Sequence, residues 1–119
     1  MSNVLRSQKL AQEAFTRIAK QRSVSKDYLS FAKRFPALLH TCGLAQAVSF
    51  ALAKKEKEYV EDLASVLKAS GHSEMIDGSS LDRWARTSPL GGYLRLCRDA
   101  ICAASWLKRY AEAAAEEGN

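Results

Sequence analysis

The sequence predicts an all-α, single-domain bundle of five to six helices. Its 119 residues suit one domain that buries a core without disulfide or metal staples. Ala, Leu, Lys, Glu and Arg abound, Pro and Gly are few, and β-branched residues are scarce. Apolar residues recur at three- and four-residue spacing along most of the chain. We expect one domain over residues 1–119, with a flexible tail over about 112–119.

A first helix is predicted over residues 3–22. Its inward face comprises Leu10 or Ala11, Ala14, Phe15, Ile18 and Ala19. The opposite face carries a basic ridge that includes Arg17 and Lys20, and Glu13 is spaced to pair with Arg17. This helix should pack by one face and display cations on the other.

A second helical stretch is predicted to begin at Lys26, with Ser25 as its N-cap. Pro36 removes one backbone donor, so we expect a kink there. Gly43 is where this helix is expected to end and another to begin at Leu44, continuing to Lys54.

This stretch contains 19 consecutive uncharged residues, 35–53, which is nearly the length of a membrane span. His40 and Gln46 would be unfavourable inside a bilayer, and basic residues flank both ends, giving no bias in orientation. We therefore interpret it as the central element of a soluble bundle rather than as a span.

Residues 55–71 form a predicted amphipathic helix that ends at Gly71 as its C′ residue. A loop over 72–80 follows, with Ser80 expected to cap a short helix over 81–86. Four carboxylates of the amphipathic helix are expected on a solvated outer face: Glu56, Glu58, Glu61 and Asp62.

The last helix is predicted to run to about Glu116, with Ser88 as N-cap and Pro89 at the first helical position. Its expected inner seam comprises Leu90, Leu94, Cys97, Ile101 and Ala104. Beside that seam, Trp106 is interpreted as a core anchor rather than as a base-stacking residue.

Charge is distributed unevenly along the chain. Residues 1–55 carry ten Lys or Arg against two acidic residues, whereas residues 56–119 carry eight against eleven. A net charge of +8 against −3 favours a polyanion on one side and a protein partner on the other. Since no aromatic residue is expected to be exposed among the cations, the predicted contact is to phosphate rather than to stacked bases.

No catalytic or metal-binding constellation is predicted. His40 and Cys42 point about 200° apart on a helix, and a chain with two His and no CxxC motif does not suggest zinc. We expect no enzyme activity, no cofactor and no metal, with the three cysteines as small buried thiols. Their number and the absence of a signal-peptide pattern favour the cytoplasm.

Three blocks, RSQKLAQEAF, FPALLHTCGLAQAVSFALAK and ASWLKRYAEA, give the chain a family resemblance. It resembles the small subunit of the type III-B CRISPR effector, the RAMP-module (Cmr) complex. The resemblance implies an all-helical, non-catalytic subunit whose copies stack into a minor filament beside the backbone RAMP subunits. One end of that filament would meet the large polymerase-like subunit, and the filaments together would hold CRISPR RNA and target RNA.

On this resemblance, five basic residues are candidate RNA-facing positions: Lys33, Arg34, Lys54, Lys108 and Arg109. The charge pattern alone adds Arg17, Lys20 and Lys55. Two alternatives remain at this point. One is a helical protein–protein adaptor without nucleic-acid binding; the other, favoured less, is a helix-turn-helix DNA regulator.

Overall fold

The computed structural model describes residues 3–21 and 24–117. Within those ranges it contains five helices and no strand: α1 (Asn3–Ala19), α2 (Lys26–Ala53), α3 (Lys57–Ala69), α4 (Gly78–Thr87) and α5 (Leu90–Glu117). The predicted all-α bundle is confirmed. Helix α2 begins as predicted, because the Ser25 hydroxyl accepts a hydrogen bond from the Tyr28 amide at 3.0 Å.

Helix α2 is a hairpin of two helical segments, 26–42 and 44–53. Gly43 separates them with φ 82° and ψ 167°, a conformation that is essentially restricted to glycine. The rings of Phe31 and Phe50 lie 6.4 Å apart, whereas a straight helix would separate these positions by about 28 Å. The predicted break at Gly43 is confirmed, and Pro36 lies inside the first segment without interrupting its helical dihedral angles.

The hairpin also bears on whether α2 is a membrane span. By length and composition alone, α2 could cross a membrane, with a mean hydropathy of 1.4 over its most apolar window. Folded back at Gly43, however, its longer segment spans about 26 Å and its shorter one about 15 Å, less than the roughly 30 Å of a bilayer core. Nine residues of α2 are instead buried within the protein, as expected for a core element.

The cross-helix contacts fix the direction of each helix. Helices α1 and α5 are parallel, since Arg6 contacts Asp99 and Phe15 contacts Tyr110. Helix α3 is antiparallel to α1, because Arg17 contacts Asp62 while Glu13 contacts Ser65. One end of the bundle therefore gathers the last turns of α1, α2 and α5 and the first turns of α2 and α3.

Aromatic residues fill the core near that end. The buried ring of Tyr59 on α3 lies 5.3 Å from Phe31 and 4.9 Å from Phe35, both on the first segment of α2. Such tilted and edge-on pairs add to the stabilisation from apolar burial. They hold the α2 hairpin against α3.

Two expectations for α1 are wrong. Phe15 is 53% exposed rather than buried, and the buried face comprises Leu10, Ala14 and Ile18. Glu13 accepts a hydrogen bond from the Ser65 hydroxyl, whereas Arg17 pairs with Asp62. Glu13 and Arg17 thus bind partners on α3 rather than each other. Residue 22, the end of the predicted helix, lies outside the described residues.

The region from α3 to α4 needs two corrections. Asp62 is 3% exposed rather than solvated, because it accepts hydrogen bonds from α1 and α2. Asp77, not Ser80, caps α4: its carboxylate accepts the Ser80 amide at 2.8 Å, so this helix begins at Gly78. Gly71 follows α3 at φ 120°, which confirms its predicted C′ role.

The start of α5 also differs from prediction. The Ser88 hydroxyl donates to the Trp84 carbonyl and closes α4, so α5 begins at Leu90. Leu90 and Leu94 are 72% and 58% exposed. The buried seam instead comprises Leu96, Ala100, Ala103, Ala104, Leu107 and Ala111.

Two further expectations concern the cysteines and the tail. Cys42 and Cys102 are exposed and Cys97 is half-buried, so the prediction of buried thiols is wrong for the first two. Helix α5 continues to Glu117, and the flexibility expected over 112–119 stays a prediction.

Candidate nucleic-acid interface

The bundle end described above gathers five of the eight basic residues that the sequence singled out. Lys20 follows α1, Lys54 and Lys55 follow the second segment of α2, and Lys33 and Arg34 lie in its first segment. All five are exposed. We call this region the basic end. Within the described residues, none of the five forms an ion pair.

Two of these cations lie on stacked aromatic rings. The Arg34 guanidinium lies 5.9 Å from the centroid of Phe31, and the Lys54 ammonium lies 5.6 Å from that of Phe50. The two rings are nearly parallel, at 12°. The Gly43 hairpin thus puts two cations that are 20 positions apart in sequence on one pair of stacked rings. Each cation gains a modest attraction to its ring.

Beside these rings is an open cavity of about 290 Å³, which we call the α2 cavity. Phe31, Phe35, Leu38 and Phe50 form its apolar walls, and Arg34 and Thr41 contribute polar atoms. A second hollow of about 390 Å³ lies on the other side of Phe50 and Leu38, which line both. The exposed part of Phe50, 37% of the residue, therefore faces solvent-accessible space.

Arg17 occupies a different environment. Its Nε donates to the Asp62 carboxylate at 2.8 Å, and the Tyr28 hydroxyl also donates to Asp62. Burial raises the pKa of Asp62, and the hydrogen bonds from Tyr28 and Arg17 oppose that shift. Burial, together with the neighbouring Asp62 charge, raises the pKa of Tyr28. Arg17 therefore serves the packing of α1, α2 and α3 in this structure.

Arg109, which follows Lys108, belongs to a second aromatic group near the end of α5. The Arg109 guanidinium lies 5.6 Å from the ring of Trp106, which stacks on Tyr110 at 5.7 Å. Trp106 and Lys108 are half-buried, while Arg109 is exposed. Tyr110 in turn meets Phe15 of α1 edge-on at 5.5 Å. Trp106 thus both packs on its helix and carries a cation.

Acidic side chains are also present near the basic end. Partial burial, followed by the neighbouring charge of Asp27, raises the pKa of Glu56, and Arg34 opposes this rise. Glu56 and Asp27 therefore lie close enough to affect each other, and Arg34 lies close enough to Glu56 to offset part of its charge. Glu56 and Asp27 therefore lower the positive potential in the part of the basic end that contains Arg34.

Sequence reasoning missed Phe50, because it expected no exposed aromatic residue among the cations. A usable signal exists: Phe31 and Arg34 are three residues apart and Phe50 and Lys54 are four apart, both spacings that place side chains on one helix face. What the spacing does not show is that Gly43 stacks the two pairs on each other.

The described residues contain no group of three His, Cys, Asp or Glu side chains arranged to hold a metal ion. Their most buried polar clusters are centred on Asp62 and on Asp99, which His72 contacts at 2.7 Å. Both clusters join helices to one another, and neither opens onto the α2 cavity.

Comparison with known proteins identifies the family. The model of a family of CRISPR-associated proteins, Cas_Cmr5, matches residues 6–114, which is nearly the whole chain. The chain belongs to the Cmr5 family of CRISPR-associated proteins. The resemblance to the small subunit of the type III-B Cmr complex is thereby confirmed.

Two matches from Thermus thermophilus, one by sequence and one by structure, agree with this membership. The Cmr5 subunit of its CRISPR Cmr system is 33% identical over 117 residues, which covers 94% of this chain and 97% of the relative. The crystal structure of a CRISPR-associated Cmr5 family protein from the same species superposes with a TM-score of 0.78 at 36% identity. That match covers 92% of this chain and 96% of the other, so the Cmr5 fold extends over nearly the entire bundle.

Proposed function

We propose that this protein is the non-catalytic small subunit of a cytoplasmic type III-B CRISPR Cmr complex, in which copies stack into a filament and contact RNA backbone. The observation that carries the RNA contact is the Gly43 hairpin, which stacks the rings that carry Arg34 and Lys54 at the basic end. Exposed cations without carboxylate partners are available to phosphate, and each phosphate contact releases counterions.

The proposed surface has a centre and a margin. Lys33, Arg34, Lys54 and Lys55 form the centre, and Lys20 extends it at the end of α1. Lys108 and Arg109 form a separate group on α5. Arg17 is left out, because its charge is already matched by Asp62.

The proposed filament needs protein-binding surface as well. Leu90 and Leu94 are exposed at the start of α5. Since α5 runs parallel to α1, they lie at the end of the bundle opposite the basic end. Exposed apolar side chains of this size are what protein contacts commonly bury. We propose this patch as a contact with another copy or with a backbone RAMP subunit, which leaves the basic end open to CRISPR RNA or target RNA.

A reconstituted Cmr complex provides the test of RNA contact. The double variant R34E/K54E should assemble normally but bind target RNA more weakly, with a shallower dependence of affinity on salt. The matched control is K68E/R95E, which makes the same charge change at exposed positions near the opposite end. If R34E/K54E and its control bind RNA as the unmodified complex does, the proposed contact is wrong and the adaptor alternative stands.

A further inference from the structure

Phe50 combines two properties that a plain phosphate-binding surface does not require. The residue is 37% exposed, its ring carries Lys54, and it lines the α2 cavity together with Arg34. Proteins hold single-stranded nucleic acid with aromatic rings near cations, because every base offers a face for stacking.

The α2 cavity beside this ring suits a small planar group. Its volume of about 290 Å³ lies at the lower end of the range for ligand pockets, which accommodates a single ring system. Phe31, Leu38 and Phe50 contribute apolar lining, while the exposed Thr41 hydroxyl can donate to or accept from a polar edge.

We propose that the α2 cavity holds one unpaired nucleobase of the bound RNA, stacked on Phe50, while Arg34 and Lys54 contact the phosphates on either side. The inference rests on the proposed RNA contact and adds the part of the RNA that is recognised. A paired base inside an A-form helix cannot reach such a cavity. The bound strand must therefore be unpaired, or have one base turned out, at this nucleotide.

The Lys54 ammonium lies over the Phe50 ring without lining the α2 cavity, so a base in the cavity that also covers this face must displace it. Its side chain is exposed and flexible, and the attraction of a solvated cation to a ring is weaker than base stacking. A base can take the place of the ammonium on the ring, and the ammonium then turns to a phosphate. The ring of Phe50 and the charges of Arg34 and Lys54 thus both favour a nucleotide as the occupant.

The test compares two labelled oligomers of about 12 nucleotides, oligouridine and an abasic ribose-phosphate oligomer of equal charge. Affinity of the full-length chain for each is measured by fluorescence anisotropy across a salt series. The unmodified protein should prefer oligouridine by about 5- to 150-fold, which is the effect of stacking one base. A wild-type protein that binds both oligomers equally overturns the inference.

The variant F50L keeps apolar volume but removes the ring. It should reduce the preference for oligouridine to less than about twofold while leaving the salt dependence unchanged, because stacking and phosphate contacts are separate terms. The matched control is F15L, at a phenylalanine that is 53% exposed but packs against Tyr110 on α5; it should retain the full preference. If F50L retains it too, Phe50 is not the stacking residue.

The proposed function and this inference fail in different ways. If R34Q/K54Q loses the salt dependence of binding but the unmodified protein binds both oligomers equally, the phosphate contact is supported and the base-binding inference is wrong. The base-binding inference is also wrong if F50L keeps the preference for oligouridine and the base contact maps to another part of the chain. No salt-dependent binding of either oligomer, by the chain or by the complex, removes both.

Photocrosslinking provides a second measurement that does not depend on a variant folding. RNA containing 4-thiouridine is irradiated in complex with the full-length chain, and the tryptic peptides are analysed by mass spectrometry. We expect the crosslink in the peptide of residues 35–54, which carries both Thr41 and Phe50. Crosslinks confined to other peptides contradict the inference.

Discussion

Arg17 and Arg34 look alike in the sequence, yet the structure uses them differently. Arg17 pairs at 2.8 Å with a carboxylate that is 3% exposed and thereby ties α1 to α3. Arg34 lies over a ring at the surface, without an ion-pair partner among the described residues. The first region uses its charge to stabilise the fold, whereas the charge of Arg34 interacts with Glu56 nearby and, on the proposed function, is available to a ligand. A basic residue therefore indicates a binding surface only when its neighbours leave its charge unmatched.

The largest expected effect falls on the buried region. D62A leaves the Arg17 guanidinium and the Tyr28 hydroxyl without their shared acceptor, and removing one partner of a buried pair costs about 3 kcal/mol of unfolding free energy. Urea unfolding measures this loss. The control is D82A, which removes an exposed ion pair with Arg86 on one helix and should cost about 0.5 kcal/mol or less. Equal losses in the two variants would show that the Asp62 cluster is not a structural centre.

The next effect tests the hairpin that creates the surface region. G43A should lose about 1–3 kcal/mol, because alanine tolerates φ 82° and ψ 167° poorly and its Cβ would lie 3.3 Å from the Tyr93 hydroxyl. Thermal unfolding gives the loss, and RNA affinity should fall with it. G92A is the control: its added Cβ meets no atom within 4 Å in a helical setting, so stability should hold or rise. If G43A is as stable as G92A, the chain reversal at Gly43 is not glycine-dependent.

A smaller effect concerns pH and again separates the regions. The pKa of Asp62 is raised above its ordinary value of 3.8, so the folded chain binds a proton that the unfolded chain has released. The stabilisation that protonation of Asp62 adds to the unfolding free energy is therefore complete below about pH 3.8. It is lost as pH rises through the raised pKa. The unfolding free energy of the unmodified protein minus that of D62N should fall from pH 4 toward neutrality in urea titrations. A difference that grows with pH would mean that the pairing with Arg17 outweighs burial.

The smallest effect on stability belongs to the surface region. R34Q/K54Q should change the unfolding free energy by no more than about 0.5 kcal/mol, since both side chains are exposed. The same variant should lower the slope of log affinity against log salt by about 1 for each phosphate that is no longer neutralised. K68Q/R95Q, also exposed, should leave that slope unchanged. A large loss of stability in R34Q/K54Q would show that Arg34 or Lys54, like Arg17, stabilises the fold.

Local signals in the sequence predicted most of the fold. Ser25 as an N-cap, Gly71 as a C′ residue and the break at Gly43 each depend on the conformational preference of one residue and its nearest turn, and all are confirmed. Errors arose where a tertiary partner competed with a local one. Arg17 bonds Asp62 instead of Glu13, and Ser88 closes α4 instead of capping α5.

The sequence by itself determined an all-helical bundle, its membership in the Cmr5 family and the basic character of its first half. Periodicity, family motifs and charge depend only on the order of the residues. Among the described residues, only the tertiary structure decided which cations form ion pairs. It also decided that Phe31 and Phe50 meet, since the direction of the chain after Gly43 depends on packing against α3 and α5 rather than on any neighbouring residue. The candidate base-binding cavity exists only because of that meeting.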